Sequence, residues 1–229
     1  MASSRFTRIF PAILALALPA GPASADDASP PPPIVIMTDA PTDPTRFEWL
    51  SEGARTALAD AIAKHKAGEI FAFVFAGASG GDYWAYRFAA NDKALFGVDD
   101  LARQALQACE FVRRAPCLIV SINGMDARDA AGGLPVQPSM LAGQPAKFDA
   151  ERVPFVGMSD RSLLAAYPAE PKAKVLVLTI TAGWLWRTGA NIFEAAATAF
   201  ADCQTTYPGQ GCILYAVNDR VVFVPGGPY

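Results

Sequence analysis

The chain has 229 residues and a single histidine, His65. A site built on several imidazoles is thereby excluded, and a histidine-based nucleophile pair rests on that one ring. No C-x-x-C spacing occurs, so neither a zinc ribbon nor a redox-active dithiol has support. G-x-G-x-x-G and Gly-Lys-Ser/Thr loops are also missing, so no nucleotide chemistry and no cofactor is expected. Charged residues make up only 18%, with 19 Lys+Arg against 22 Asp+Glu. That balance lacks the basic footprint of a nucleic-acid partner. Past the N-terminal region no apolar run approaches the ~18 residues of a membrane span, so none is expected after signal removal.

What the sequence does hold is apolar material, 52% of residues, enough for a packed core. The opening segment, residues 1–25, has the order of a secretory signal peptide. Arg5 and Arg8 are followed by the short apolar stretch Ile9 to Ala20 and by Ala23-Ser24-Ala25, an A-x-A site. A cut after Ala25 and a periplasmic or secreted protein are expected. Residues 26–33, with Ser29 before four prolines, read as a stiff extended tether.

All four cysteines fall after the signal: Cys109, Cys117, Cys203 and Cys212. Each pair begins at the end of an Ala-rich helical pattern and closes just before a short apolar strand. Zinc is the rival reading, but the lone His lies far away in sequence and the spacing is wrong. Structural disulfides are the expectation for an exported chain.

Laying one Cys pair over the other exposes an internal repeat. Leu101 to Cys109 falls on Ala195 to Cys203, and Leu118 to Asn123 falls on Ile213 to Asn218. Ala102, Ala105, Leu106 and Cys109 share one helical face, as do Ala196, Ala199, Phe200 and Cys203. Upstream of each helix is a hairpin pattern. Ile70 to Phe75, the Gly77–Gly81 turn and Tyr83 to Phe88 form one, and Val175 to Ile180, Ala182-Gly183 and Trp184 to Trp186 the other.

Farther upstream, Arg46 to Lys66 has helical spacing with Leu50, Ala54, Ala57, Leu58, Ala61 and Ile62 on one face. Its shorter counterpart is Asp160 to Tyr167. Strands at Ile34 to Met37 and Val153 to Val156 would open each unit. The expected fold class is α+β, two tandem related β-α-β-β-α-β (ferredoxin-like) units, each stapled by a local disulfide. The units span 34–126 and 153–229, joined by the Gly/Pro-rich linker 127–152, and they could share one sheet or keep two.

This order of Trp-bearing hairpin, Ala-rich helix ending in Cys, second Cys and short strand with Asn resembles a group of secreted bacterial domains of unknown function. The likeness is clearest from Lys174 to Phe223 and weaker from Phe71 to Asn123. It implies fold and compartment, and it carries no catalytic residue over.

Gly77-Ala78-Ser79-Gly80-Gly81 matches G-x-S-x-G, but strand follows where a nucleophile elbow needs helix, so a hairpin turn is expected. His65 sits near the C-terminal end of its helix, where a polar or positive group suits the dipole. Asn123, Asp126 and Asp129 lack the register of a calcium loop and read as a solvated loop, so no metal site is expected.

Trp84, Tyr86 and Phe88 share one strand face, and Trp184 and Trp186 share its equivalent. Burial under the Ala-rich helix is expected, with Tyr83, Arg87 and Arg187 more exposed. As candidate ligand contacts the sequence offers Tyr83, Trp84, Arg87, Trp184, Trp186 and Arg187. The leading expectation is a non-enzymatic binding or interaction protein of the cell envelope, whose partner is an envelope protein or a cell-wall component. The alternatives are a His-independent enzyme acting on cell-envelope material, with Asp82 beside Tyr83 or Asp126 with Asp129 as its carboxylates, and an inhibitor presenting the Gly77–Gly81 loop or the Gly/Pro-rich linker.

Overall fold

The computed structural model describes residues 36–78, 80–91, 97–128, 139 and 141–225. The expected signal peptide and tether, Ser79, Asp129 and most of the first part of the linker lie outside the described residues. The fold is mixed α+β, with two antiparallel sheets, four α-helices among the described residues and two local disulfides.

The first half runs β1 (Ile36–Pro41), α1 (Glu52–Lys66), β2 (Ala72–Ala78), β3 (Trp84–Ala89), α2 (Val98–Arg113), β4 (Cys117–Ile122) and β5 (Met125–Arg128). The second runs α3 (Met158–Leu164), β6 (Lys174–Leu178), β7 (Trp184–Thr188), α4 (Ile192–Thr206), β8 (Ile213–Val217) and β9 (Arg220–Val221). Hydrogen-bonded order is β1-β5-β4-β2-β3 in one sheet and β7-β6-β8-β9 in the other, so the sheets stay separate. β2 and β6 are buried along their whole length, as strands covered on both faces must be.

The ferredoxin-like arrangement is not what the sheets carry. β1 sits at an edge and pairs only with β5, and Val153 to Val156 forms no strand at all. Pro154 has no amide to donate. Phe155 lies at φ 66, left-handed backbone that breaks an extended run. Helix α1 also begins later than its apolar spacing suggests. Ser51 takes the N-cap and accepts from Ala54 N–H at 3.2 Å, which fixes the start at Glu52. Part of the expected linker belongs to a core, since Leu141 and Phe148 pack with Tyr167, Tyr215 and Phe223.

Four strands of the first sheet match the second: β3-β2-β4-β5 corresponds to β7-β6-β8-β9, with α2 and α4 at the same place in the chain order. Register slips at the same step in both, between Phe75 and Ala76 and between Leu176 and Val177. Asn123 and Asn218 stand at φ 53 and 52, and each receives a β-strand amide on its side chain. Asn123 Oδ1 accepts from Phe73 N–H at 2.8 Å, and Asn218 Oδ1 from Lys174 N–H at 3.2 Å. Cys109 in α2 is bonded to Cys117 at the head of β4, and Cys203 in α4 to Cys212 just before β8.

Small residues bring helix and sheet together. Ala102, Ala105 and Cys109 of α2 lie against Ala76, Ala78 and Ala85, and Ala195, Ala199 and Cys203 of α4 against Val175, Val177 and Leu185. The aromatic faces are therefore not under these helices. Trp84 and Tyr86 pack on the opposite side with Phe73, Phe75 and the α1 residues Ala54, Leu58 and Ile62, while Trp184 and Trp186 pack with Phe148 and Tyr167. A close helix-to-sheet approach leaves no volume for indole rings, so they occupy the roomier face.

Candidate functional site

Helix α2 is buried on two sides. Its Ala stripe covers the first sheet, and a polar stripe of Asp100, Gln104 and Gln107 turns toward the second half. Asp100 accepts from Gln104 Nε2 at 3.0 Å, from Arg103 Nη2 at 2.5 Å and from Met158 N–H at 3.0 Å. Gln107 Oε1 accepts from Arg103 Nη1 and from Phe155 N–H, both at 2.8 Å, and Arg103 Nη2 also donates to the Val156 carbonyl at 2.7 Å. These bonds satisfy backbone groups of 153–158 that a strand would otherwise have paired. Burial, followed by the neighbouring Arg103 charge, brings the Arg161 guanidinium down to about 10.

Beside this contact the edge strand β3 meets the 180–182 turn of the second half. Two cavities open there. One, about 370 Å³, is lined by Asp82, Tyr83, Arg87 and Ala108 from the first half and Ile180 and Thr181 from the second. The other, about 450 Å³, is lined by Tyr86, Arg87, Leu101 and Gln104 on one side and by Gly157, Asp160 and Ala182 on the other. Tyr86, Arg87 and Thr181 border both, so the two form one groove with Arg87 between them.

Alternation along β3 places Arg87 on the α2 side with Ala85, opposite the Trp84–Tyr86–Phe88 face. Its Nη1 donates to the Tyr86 carbonyl at 2.8 Å, and its Nη2 donates to the Ile180 carbonyl across the groove. Its Nε is buried and has no hydrogen-bond partner among the described residues. Loss of solvent lowers the Arg87 pKa from its ordinary value, against the smaller opposing effect of Tyr83 and Tyr86. Burial likewise pushes the Tyr83 phenol up.

Of the expected ligand contacts, Tyr83 and Arg87 share this groove, and Trp84 borders it while its ring packs on the opposite face of β3. Arg87 is less exposed than its strand face suggested, because the second half covers it. Trp184 and Trp186 stack on each other at 5.4 Å on a different face, and Arg187 is held by Asp202. On the first sheet Trp84, Tyr86 and Phe88 form one ladder, with ring separations of 6.1 and 5.9 Å, and Phe88 is 49% exposed at its end.

The remaining candidates fall elsewhere. Asp82 pairs with Arg113 at 2.8 Å, and the buried Asp126 lies 3.6 Å from Arg46. His65 Nδ1 lies 3.2 Å from the Ile70 carbonyl, and its ring stands edge-on to Phe73 at 5.7 Å. Of the expected Gly77–Gly81 turn, Gly77 and Ala78 lie within β2, where Gly77 pairs with Trp84 of β3. Gly81, at φ 72, is required where it stands, because a Cβ would meet the Trp49 carbonyl oxygen at 1.5 Å. Among the described residues no three acidic, cysteine or histidine side chains gather as a metal site, and no helix is long and apolar enough to cross a membrane.

Sequence reasoning missed the polar stripe of α2. Its signal was present, since Asp100, Gln104 and Gln107 recur at helical spacing opposite the Ala stripe. No family model matches the chain, and no curated protein or solved structure is significantly similar to it.

Proposed function

We propose that this chain is an exported, non-enzymatic binding protein of the cell envelope, built from two related units, which takes its ligand in the groove between them. One observation carries the reading: two cavities share Arg87 and draw their walls from both halves. Their volumes fall in or near the ~300–1,000 Å³ range of small-molecule sites. The common strand order, the common register slip and the paired Asn turns support descent of the halves from one unit. Two disulfides suit an oxidising compartment, and the N-terminal charge order suits export.

The test is photo-crosslinking in intact cells. A crosslinking residue at the exposed Thr181 captures a ligand, and one at the exposed Gln204 on α4 does not. Equal capture at both positions, or none at Thr181, overturns the groove as the binding site. Turnover of envelope material by the purified protein, abolished by a change in the groove, overturns the non-enzymatic part.

A further inference from the structure

We infer that the groove recognises a carboxylate, bound on the edge of the Arg87 guanidinium that carries Nε and Nη2. This rests on the groove being the binding site and adds the chemical class of what enters it.

The two halves contain the same arginine in two different states. Arg187 on β7 corresponds to Arg87 on β3, and each donates from Nη1 to the carbonyl of the residue before it, Trp186 or Tyr86. In the second half, Arg187 Nε donates to Asp202 Oδ2 at 2.5 Å. Asp202 directly precedes Cys203 in α4, and the residue directly preceding Cys109 in α2 is Ala108. Ala108 lines the groove beside Arg87. Where one half supplies a carboxylate from its own helix, the other supplies a methyl group, and the atom left without a partner among the described residues is the corresponding Nε.

The Nε–Nη2 edge of a guanidinium presents two parallel donors that match the two oxygens of a carboxylate. On Arg87 that edge is half used, and only by the neutral Ile180 carbonyl. That carbonyl takes the Nη2 donor alone and, being neutral, cancels no charge. No ion pair to Arg87 is formed among the described residues, although Asp82 and Asp160 stand along the groove; Asp82 is engaged by Arg113. A buried donor without an acceptor is costly, and a charged one more so. An incoming carboxylate satisfies Nε, replaces Ile180 at Nη2 and supplies the missing charge. Its neighbour Tyr83, on the same face of β3, then offers apolar surface to the rest of the ligand.

A small free acid and the C-terminus of a peptide share this chemistry, so the probes separate them. N-acetylalanine and N-acetyl-alanyl-alanine are titrated into the mature protein, each against its carboxamide. The readouts are calorimetry and the ¹⁵Nε–¹H resonance of Arg87. The acids bind at least ~10-fold tighter than the amides, as charged hydrogen bonds require, and they shift the Arg87 Nε resonance. Tighter binding of the dipeptide assigns a peptide terminus, and tighter binding of the single residue a small acid.

Arg87→Met and Ala108→Asp both abolish the difference between acid and amide, the second by restoring the internal partner that Arg187 has. Arg187→Met keeps it. Should either variant fail to fold, the resonance in the unaltered protein still decides. Equal binding of acids and amides, an unmoved Arg87 resonance, or binding of neither acid overturns the carboxylate assignment. The Thr181 crosslink decides separately whether the groove binds anything.

Discussion

Arg187 holds Asp202 at 2.5 Å on the surface of the second half, with the two side chains 42% and 41% exposed. A pair so open to water is screened and contributes little, about 0.2–1 kcal/mol. Asp202→Ala should therefore lower stability by less than about 1 kcal/mol, measured by urea unfolding. A loss several times larger would mean that the pair is a structural clamp, and the contrast drawn with Arg87 would lose its basis.

Each disulfide closes a short loop, with sequence separations of 8 and 9. Loop-closure entropy gives about 2.5 kcal/mol for either. Cys203→Ser with Cys212→Ser should lower unfolding stability by about that amount and leave the Cys109–Cys117 bond intact in a mass-mapped digest. Four alkylatable thiols in protein isolated from its native compartment would contradict the disulfide assignment.

Asn218 works twice, holding φ 52 and accepting from Lys174 N–H at 3.2 Å. Asn218→Ala loses both roles and should cost about 1–3 kcal/mol. Asn218→Gly keeps the backbone freedom and should cost less. Equal losses in the two variants would assign the whole effect to the hydrogen bond, and no loss in either would remove the turn from the account.

Burial holds the phenols of Tyr167 and Tyr215 well above their ordinary value, with smaller increments from Asp219 and Asp149 respectively. The folded chain keeps these protons above pH 10.0, where the unfolded chain releases them. The stability they contribute is complete below that pH and is lost as pH rises through the folded values. Arg161, drawn down to about 10, acts in the opposite sense, but it is one group with a smaller shift against two phenols. Alkaline titration should show a late, cooperative rise in phenolate absorbance coincident with loss of near-UV circular dichroism. A gradual titration of every tyrosine near pH 10, with the fold intact, would contradict the burial of these two.

Strands β2, β3, β4, β6, β7 and β8 and helices α2 and α4 were legible because alternation, Ala-rich helical spacing and the Cys pairs all act locally. β5 and β9 were missed although Asn123-Gly124 is a hairpin signal; a strand of four or two residues has too little pattern to stand out. Val153 to Val156 looks like strand because its residues are apolar, yet Phe155 N–H and the Val156 carbonyl are partnered by side chains of α2, a long-range fact. The aromatic faces were assigned to the wrong side for a related reason. Period-two alternation says that two faces differ but does not say which one a helix covers. The groove is long-range as well, but its central residue was not hidden. The same overlay that matched Cys109 to Cys203 sets Ala108 over Asp202, and the missing carboxylate can be read from that one position.

The most direct measurement is the Arg87 ¹⁵Nε–¹H resonance during a titration of the protein with N-acetylalanine, repeated with N-acetylalaninamide. The account predicts that the acid moves this resonance and saturates it while the amide leaves it in place. A resonance that responds to neither, or to both alike, would contradict a carboxylate-binding groove between the two halves.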